Sequence, residues 1–264
     1  MLKQRIVTAI IAAMALLLVL FVLPTTAAKA VIAMMILAAA WEWAGFLGQG
    51  STAVRVGYVA AMGVLLALVT WRMSDAASVA FVLKTGLAWW FAALIWVFFY
   101  PTPIATPVRW ICGVLVLVPA YMALLSLYTL APTILLFVLV IVWVADIGAY
   151  FVGKRFGRVK LAPSISPGKT WEGVIGGLLA VVVVLVVARL LWLEIDIAVV
   201  VPFCLAVAAL SIVGDLTVSM FKRNAGVKDS GTLFPGHGGV LDRVDSVAAA
   251  APLFALGIGW IGLV

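Results

Sequence analysis

Nine apolar stretches of roughly membrane length follow one another along this chain, broken only by short polar segments. They cover 6–23, 29–47, 54–71, 86–100, 108–128, 132–152, 173–193, 197–221 and 247–263. A backbone in lipid must satisfy its own hydrogen bonds, and a single apolar segment can do that only as a helix. The expected fold is therefore an all-α polytopic integral membrane protein with about nine transmembrane helices. Composition agrees, since 67% of residues are hydrophobic and only 10% charged, against about half and a quarter in soluble domains. The same figures exclude a disordered chain. The fourth stretch is the shortest, and Pro101 and Pro103 are expected to close it.

The N-terminus, with Lys3 and Arg5 ahead of an apolar run and a cleavage-like Ala28-Lys29-Ala30, has features of a signal peptide. More membrane-length sequence follows, so it reads as an uncleaved first span. Cys112 and Cys204 lie inside apolar stretches without metal-ligand spacing and read as small buried hydrophobes. No internal repeat is evident, which counts against an inverted-repeat transporter.

Basic residues orient the chain. With the N-terminus inside, the inner segments hold Lys3, Arg5, Arg55, Arg109, Lys154, Arg155, Arg158, Lys160, Lys169, Lys222, Arg223, Lys228 and Arg243, thirteen of the 17. Lys29, Arg72, Lys84 and Arg189 fall outside. The bias predicts a cytoplasmic N-terminus and a C-terminus on the outer, periplasmic side. Two polar loops, about 153–172 and 222–246, then share the cytoplasmic face. The net charge of +7 suits anionic headgroups and anionic substrates rather than nucleic acid. The expected organisation is an N-terminal set of five helices over 1–130 and a catalytic region over 131–264 that carries both loops.

Charges within spans are costly and need a reason. Asp146, Tyr150 and Lys154 are four apart and share a face if the sixth helix continues past them. Gly148, Gly153 and Gly157 permit close backbone approach, and Gly173 with Gly177 reads as helix packing. In the first loop Ser166-Pro167-Gly168 reads as a rigid turn, and Lys169 and Thr170 offer a cation and a hydroxyl before Glu172. Those groups suit a phosphate, while Thr170 alone could simply cap the seventh helix. A P-loop is excluded, because its first glycine would fall at Pro163.

The second loop is denser. Asp215, Ser219, Lys222 and Arg223 form one stripe at i, i+4, i+7 and i+8. Lys228 and Asp229 follow, then Pro235-Gly236-His237-Gly238-Gly239, then Asp242-Arg243-Val244-Asp245. The glycines leave amides accessible to phosphate oxygens. Carboxylates without clustered Cys or His point to Mg²⁺ rather than zinc.

These residues resemble the phosphatidate cytidylyltransferase family, the CDP-diacylglycerol synthases. The matching string is Ser219-x-Phe221-Lys222-Arg223-x4-Lys228-Asp229-x-Gly231-x2-Phe234-Pro235-x-His237-Gly238-Gly239-Val240-x-Asp242-Arg243-Val244-Asp245. The segments around Asp146 and from Ser164 to Gly173 extend the likeness over about the C-terminal half, and Trp41-Glu42-Trp43 is reminiscent of relatives. The resemblance implies a bacterial inner-membrane nucleotidyltransferase of phospholipid biosynthesis, with its active site facing the cytoplasm. It would convert CTP and phosphatidate to CDP-diacylglycerol and diphosphate, with membrane lipids around it, no nucleic acid, and a homodimer compatible with the family. It also implies Asp215, Asp242, Lys222 and Arg223 as catalytic groups. Asp215 and Asp242 would hold Mg²⁺, with a second cation nearby as a further option, and Asp146 and Asp245 are weaker candidates for metal or supporting roles. Ser166, Lys169, Ser219, Lys222, Arg223, Lys228, His237, Gly238, Gly239 and Arg243 would bind the two anionic substrates. Which cation serves which substrate stays open, as does the role of Glu42.

Two other classes remain to be separated by assay: a transporter of an anionic lipid or nucleotide, and another membrane phosphotransferase such as a lipid kinase. A CDP-alcohol phosphatidyltransferase would need an Asp-Gly followed by Ala-Arg, and no such string occurs.

Overall fold

The computed structural model describes residues 2–47, 51–72, 75–191, 196–231 and 238–260, with side chains from residue 10 onward. Their helices are α1 (Leu2–Phe21), α2 (Thr25–Ala44), α3 (Thr52–Trp71), α4 (Ala76–Phe98), α5 (Thr106–Leu130), α6 (Pro132–Phe156), α7 (Trp171–Leu191), α8 (Ile197–Asn224) and α9 (Leu241–Gly257). Seven of them, α2 to α8, are long and apolar enough to cross a membrane. The described apolar part of α1, Ile10–Phe21, is shorter, and α9 has 17 residues.

Over its described residues each expected stretch is largely helical, and three features differ in an informative way. The fourth helix begins at Ala76 rather than 86, because Asp75 caps it by accepting from the amides of Ala77 and Ser78, both at 3.1 Å. A hydropathy reading passes over that start, since Ser78, Lys84 and Thr85 dilute the first turns. The Ser78 hydroxyl and the two amides also hold the exposed Asp75 carboxyl below its usual range. The ninth helix starts at Leu241, six residues before the apolar run that announces it. That start brings Asp242 and Asp245 into its first turns.

The third difference is a departure from an all-α fold. Between α6 and α7 the chain forms a small antiparallel hairpin, β1 (Lys160–Ala162) and β2 (Ser166–Thr170). Ser166-Pro167-Gly168 lies in β2 and not in a turn; the turn is 163–165. Lys160 pairs with Thr170 and Ala162 with Ser166, so β2 carries extra residues and bulges. Pro167, which has no N–H for a ladder, is accommodated there. The hairpin is tied to α7 by Trp171 N–H donating to Val159 O at 2.9 Å. Glu172 adds to the tie by accepting from Val159 N–H at 3.1 Å and 3.2 Å. Thr170 caps α7, its hydroxyl accepting from Gly173 N–H at 3.2 Å.

Small residues decide which helices come together. A Cβ on Gly177 would lie 2.5 Å from Ala145 O, one on Gly173 would lie 2.9 Å from Ala149 O, and one on Gly148 would lie 2.6 Å from Ala180 Cβ. So α6 and α7 pack nearly backbone to backbone, as the GxxxG spacing suggests. Gly214 does the same for α8 and α9, where a Cβ would lie 2.4 Å from Asp245 O. At Gly86 a Cβ would lie 2.4 Å from Pro119 Cβ, which sets α4 against α5. Gly177→Val is expected to destabilise the protein by about 1–3 kcal/mol or more, read from unfolding in detergent. An unchanged midpoint would refute the close α6–α7 contact. Cys112 and Cys204 are buried and free.

Candidate active site

The Gly214 contact sets α8 directly against α9, so Asp215 and Asp245 come within electrostatic reach of each other. α8 is continuous through Asn224, which places Asp215, Ser219, Lys222 and Arg223 on one stripe. Ser219 Oγ donates to Asp215 Oδ1 at 3.1 Å. The β2 bulge sends Lys169 across to the same carboxylate, with Nζ 2.6 Å from Asp215 Oδ2 and both side chains half-buried. Asp146, exposed on α6, faces Lys169, Asp215 and Arg243 electrostatically. Asp245 is buried, accepts from Ser246 N–H at 2.8 Å, and faces Asp215, Lys222 and Lys169. Residues from α6, β2, α8 and α9 thus make one cluster of alternating charge.

A second pair lies two turns further along α8. Lys222 Nζ donates to Asp242 Oδ1 at 2.7 Å, with both side chains only 9% exposed. Asp242 Oδ2 accepts from Ser230 N–H and Gly239 N–H, each at 3.0 Å. The cost of burying Asp242 is offset by the Lys222 ammonium and the two amides. Gly238 has φ +81°, and a Cβ there would lie 2.6 Å from Asp242 Oδ2. Glycine is required at that position by both backbone and space.

The other expected residues are distributed around these pairs. Arg223 donates from Nε to Ile165 O at 3.1 Å and from Nη1 to Val227 O at 3.2 Å. It clamps the hairpin to the loop after α8 and keeps further donors for other partners. Ser166 is half-buried in β2, while Lys228 and Arg243 are exposed. Lys154 sits over the Tyr150 ring, 5.7 Å from its centre, as their spacing on α6 suggests. His237 lies outside the described residues. The Gly239 amide, expected to be open to phosphate, is engaged by Asp242.

One participant comes from the N-terminal half. Glu42, near the end of α2, is buried and reaches the start of α9. Its Oε1 accepts from Val240 N–H at 2.9 Å, and its Oε2 from Leu241 N–H at 2.8 Å and Ser230 Oγ–H at 2.9 Å. The sequence signal for it is a carboxylate inside an apolar helix, a placement that costs free energy unless a partner waits.

Among the described residues, no three His, Cys, Asp or Glu side chains are grouped so as to hold a metal ion. The ammonium groups of Lys169 and Lys222 are the counter-charges of Asp215 and Asp242. The donors gathered here are nevertheless all hard oxygens, the type that Mg²⁺ takes. Two lysines, an arginine and exposed flanking cations beside carboxylates can bind polyanions and stabilise charge that develops on phosphoryl oxygens.

Comparison with known proteins agrees with that chemistry. The phosphatidate cytidylyltransferase of Pseudomonas aeruginosa is 42% identical over 263 residues, covering 97% of this chain and 96% of that one. The protein of the same name from Haemophilus influenzae is 39% identical over 288 residues, covering 97% and 98%. That of Thermotoga maritima is 47% identical over 124 residues, 45% of this chain. A family model described as the cytidylyltransferase family matches residues 3–260. The chain belongs to the cytidylyltransferase family.

Proposed function

We propose that this protein joins CTP to phosphatidate in the membrane, giving CDP-diacylglycerol and diphosphate. A phosphate oxygen of phosphatidate attacks the α-phosphorus of CTP. The bond from that phosphorus to the oxygen bridging the β-phosphate breaks, and diphosphate leaves. The nucleophile is already anionic, so no strong base is needed; the difficulty is to bring two polyanions together. The observation that carries the reading is the pair of lysine–aspartate bridges, Lys169–Asp215 and Lys222–Asp242, both anchored on the membrane-length helix α8, with Asp215 inside it and Lys222 in its last turn. Their cations exchange readily from carboxylate to phosphate, and the aspartates keep them aimed while substrate is absent.

Asp215 and Asp242 are the residues to hold Mg²⁺, with Asp146 and Asp245 close enough in charge to assist. When bound, the ion supplies charge neutralisation on the triphosphate. Lys169, Lys222 and Arg223, with Lys228 and Arg243 further out, bind and orient the two phosphate groups; Ser219 and His237 belong to the same string of residues, and Ser166 shares β2 with Lys169. In this reading all nine helices span a bacterial inner membrane. The N-terminus and the active site face the cytoplasm, where the basic residues are concentrated.

One preparation tests reaction and orientation together. The purified protein with Mg²⁺, phosphatidate and labelled CTP is expected to form CDP-diacylglycerol and diphosphate in equal amounts. In sealed vesicles, turnover is expected only when CTP is on the side that bears the 160–170 hairpin. Phosphorylated lipid with CDP release marks a kinase, and lipid movement without turnover marks a transporter.

A further inference from the structure

The amides that open α9 are closed off by the protein's own anions. Gly239 N–H is taken by Asp242, and Val240 and Leu241 N–H by Glu42. The first amides of a helix ordinarily lack an internal partner and draw an anion. Here that anion arrives from α2, 198 and 199 residues away in sequence. The space it fills is cut to its shape. A Cβ on Gly231 would lie 2.4 Å from Glu42 Oε1, and one on Gly239 would lie 2.2 Å from Oε2. Two glycines of the α8–α9 loop thus leave room for this one carboxylate.

Glu42 is also held from behind. Trp43 Nε1 donates to Arg109 O at 2.9 Å, and Arg109 donates to Phe46 O at 2.7 Å and to Ile104 O at 3.0 Å. The Trp43 ring packs on Phe221 with centroids 5.0 Å apart, immediately before Lys222. The end of α2 is therefore a fixed bracket against both α8 and the loop. From Glu42 the connection runs through Ser230, Val240 and Leu241 to Asp242, and from Asp242 to Lys222.

We propose that Glu42 is a positioning residue for cytidylyl transfer, fastening the α8–α9 loop so that Asp242 and Lys222 meet the reacting phosphates in register. This rests on the function proposed above. Glu42 itself touches no substrate. Its role is to fix two groups that do, and a misplacement of about 1 Å at such groups costs about 10²-fold in rate.

The test is Glu42→Gln, which keeps size and one acceptor but presents an amide N–H₂ where the carboxylate accepted. In detergent with Mg²⁺, phosphatidate and CTP, kcat is expected to fall at least about tenfold while KM for both substrates changes less than about threefold. Amide exchange at 238–242 is expected to rise about tenfold or more, with the rest of the chain unchanged. A wild-type kcat, a KM effect without a kcat effect, or unchanged exchange at Val240 and Leu241 would each overturn the proposal. If Glu42→Gln fails to fold, Ser230→Ala removes one donor to the same carboxylate and must lower kcat in the same pattern, more mildly. Exchange is measured without substrate, so a wild-type protein that makes no CDP-diacylglycerol would refute the reaction while leaving the fastening to be judged by itself.

Discussion

Asp215→Asn is expected to lower CDP-diacylglycerol formation by about 10²–10³-fold, the usual cost of removing one well-placed electrostatic group from an active site. Asparagine matches aspartate in shape and can still accept from the Ser219 hydroxyl, 3.1 Å away. What disappears is the negative charge that aims Lys169, 2.6 Å away, and that faces Lys222. Lys169 is 27% exposed and can turn toward solvent, so the fold should survive while the cation loses its place. Initial rates at saturating CTP and phosphatidate, with a melting curve on the same sample, check both halves. A wild-type rate would remove Asp215 from the machinery. A lost rate with collapsed stability would make its role structural.

Lys222→Met should be felt first in stability. Both members of the Lys222–Asp242 pair are only 9% exposed, so removing the ammonium leaves a carboxylate with two amide partners and no counter-charge. Breaking a buried pair from one side costs about 3–5 kcal/mol. The double variant Lys222→Met, Asp242→Asn removes both charges and keeps an acceptor for Ser230 or Gly239 N–H. It should recover most of that stability and none of the activity. Unfolding in detergent across the cycle measures the coupling directly. If the single variant is as stable as wild type, the pair is not held in a low-dielectric setting. If the double variant turns over substrate, neither residue is part of the transfer site.

Sequence and structure divide the explanation along physical lines. Helix existence was legible because lipid leaves a backbone no alternative, and a run such as 197–221 can meet that demand only one way. Helix ends were less legible where side-chain capping rather than hydropathy sets them. The Asp75 cap was present in the sequence, but the polar first turns of α4 hid it. The hairpin at 160–170 was not legible, because its strands are short, polar and interrupted by Pro167.

For the charged cluster, the chain alone pointed to Asp146, Lys169, Asp215, Ser219, Lys222, Arg223, Asp242 and Asp245, which stand out as charges or hydroxyls in and beside apolar helices. Only the tertiary structure decided who faces whom. Lys169 could have served any carboxylate, and the β2 bulge delivers it to Asp215. Lys222 lies on the Asp215 helix yet bonds to Asp242 across the loop. Glu42, unexplained by its own neighbourhood, becomes intelligible once α2 lies beside the start of α9. A hydropathy pattern reports what each residue needs from its surroundings. Which partner meets a buried charge depends on helix contacts that glycines such as Gly177 and Gly214 permit, and those contacts exist only in three dimensions.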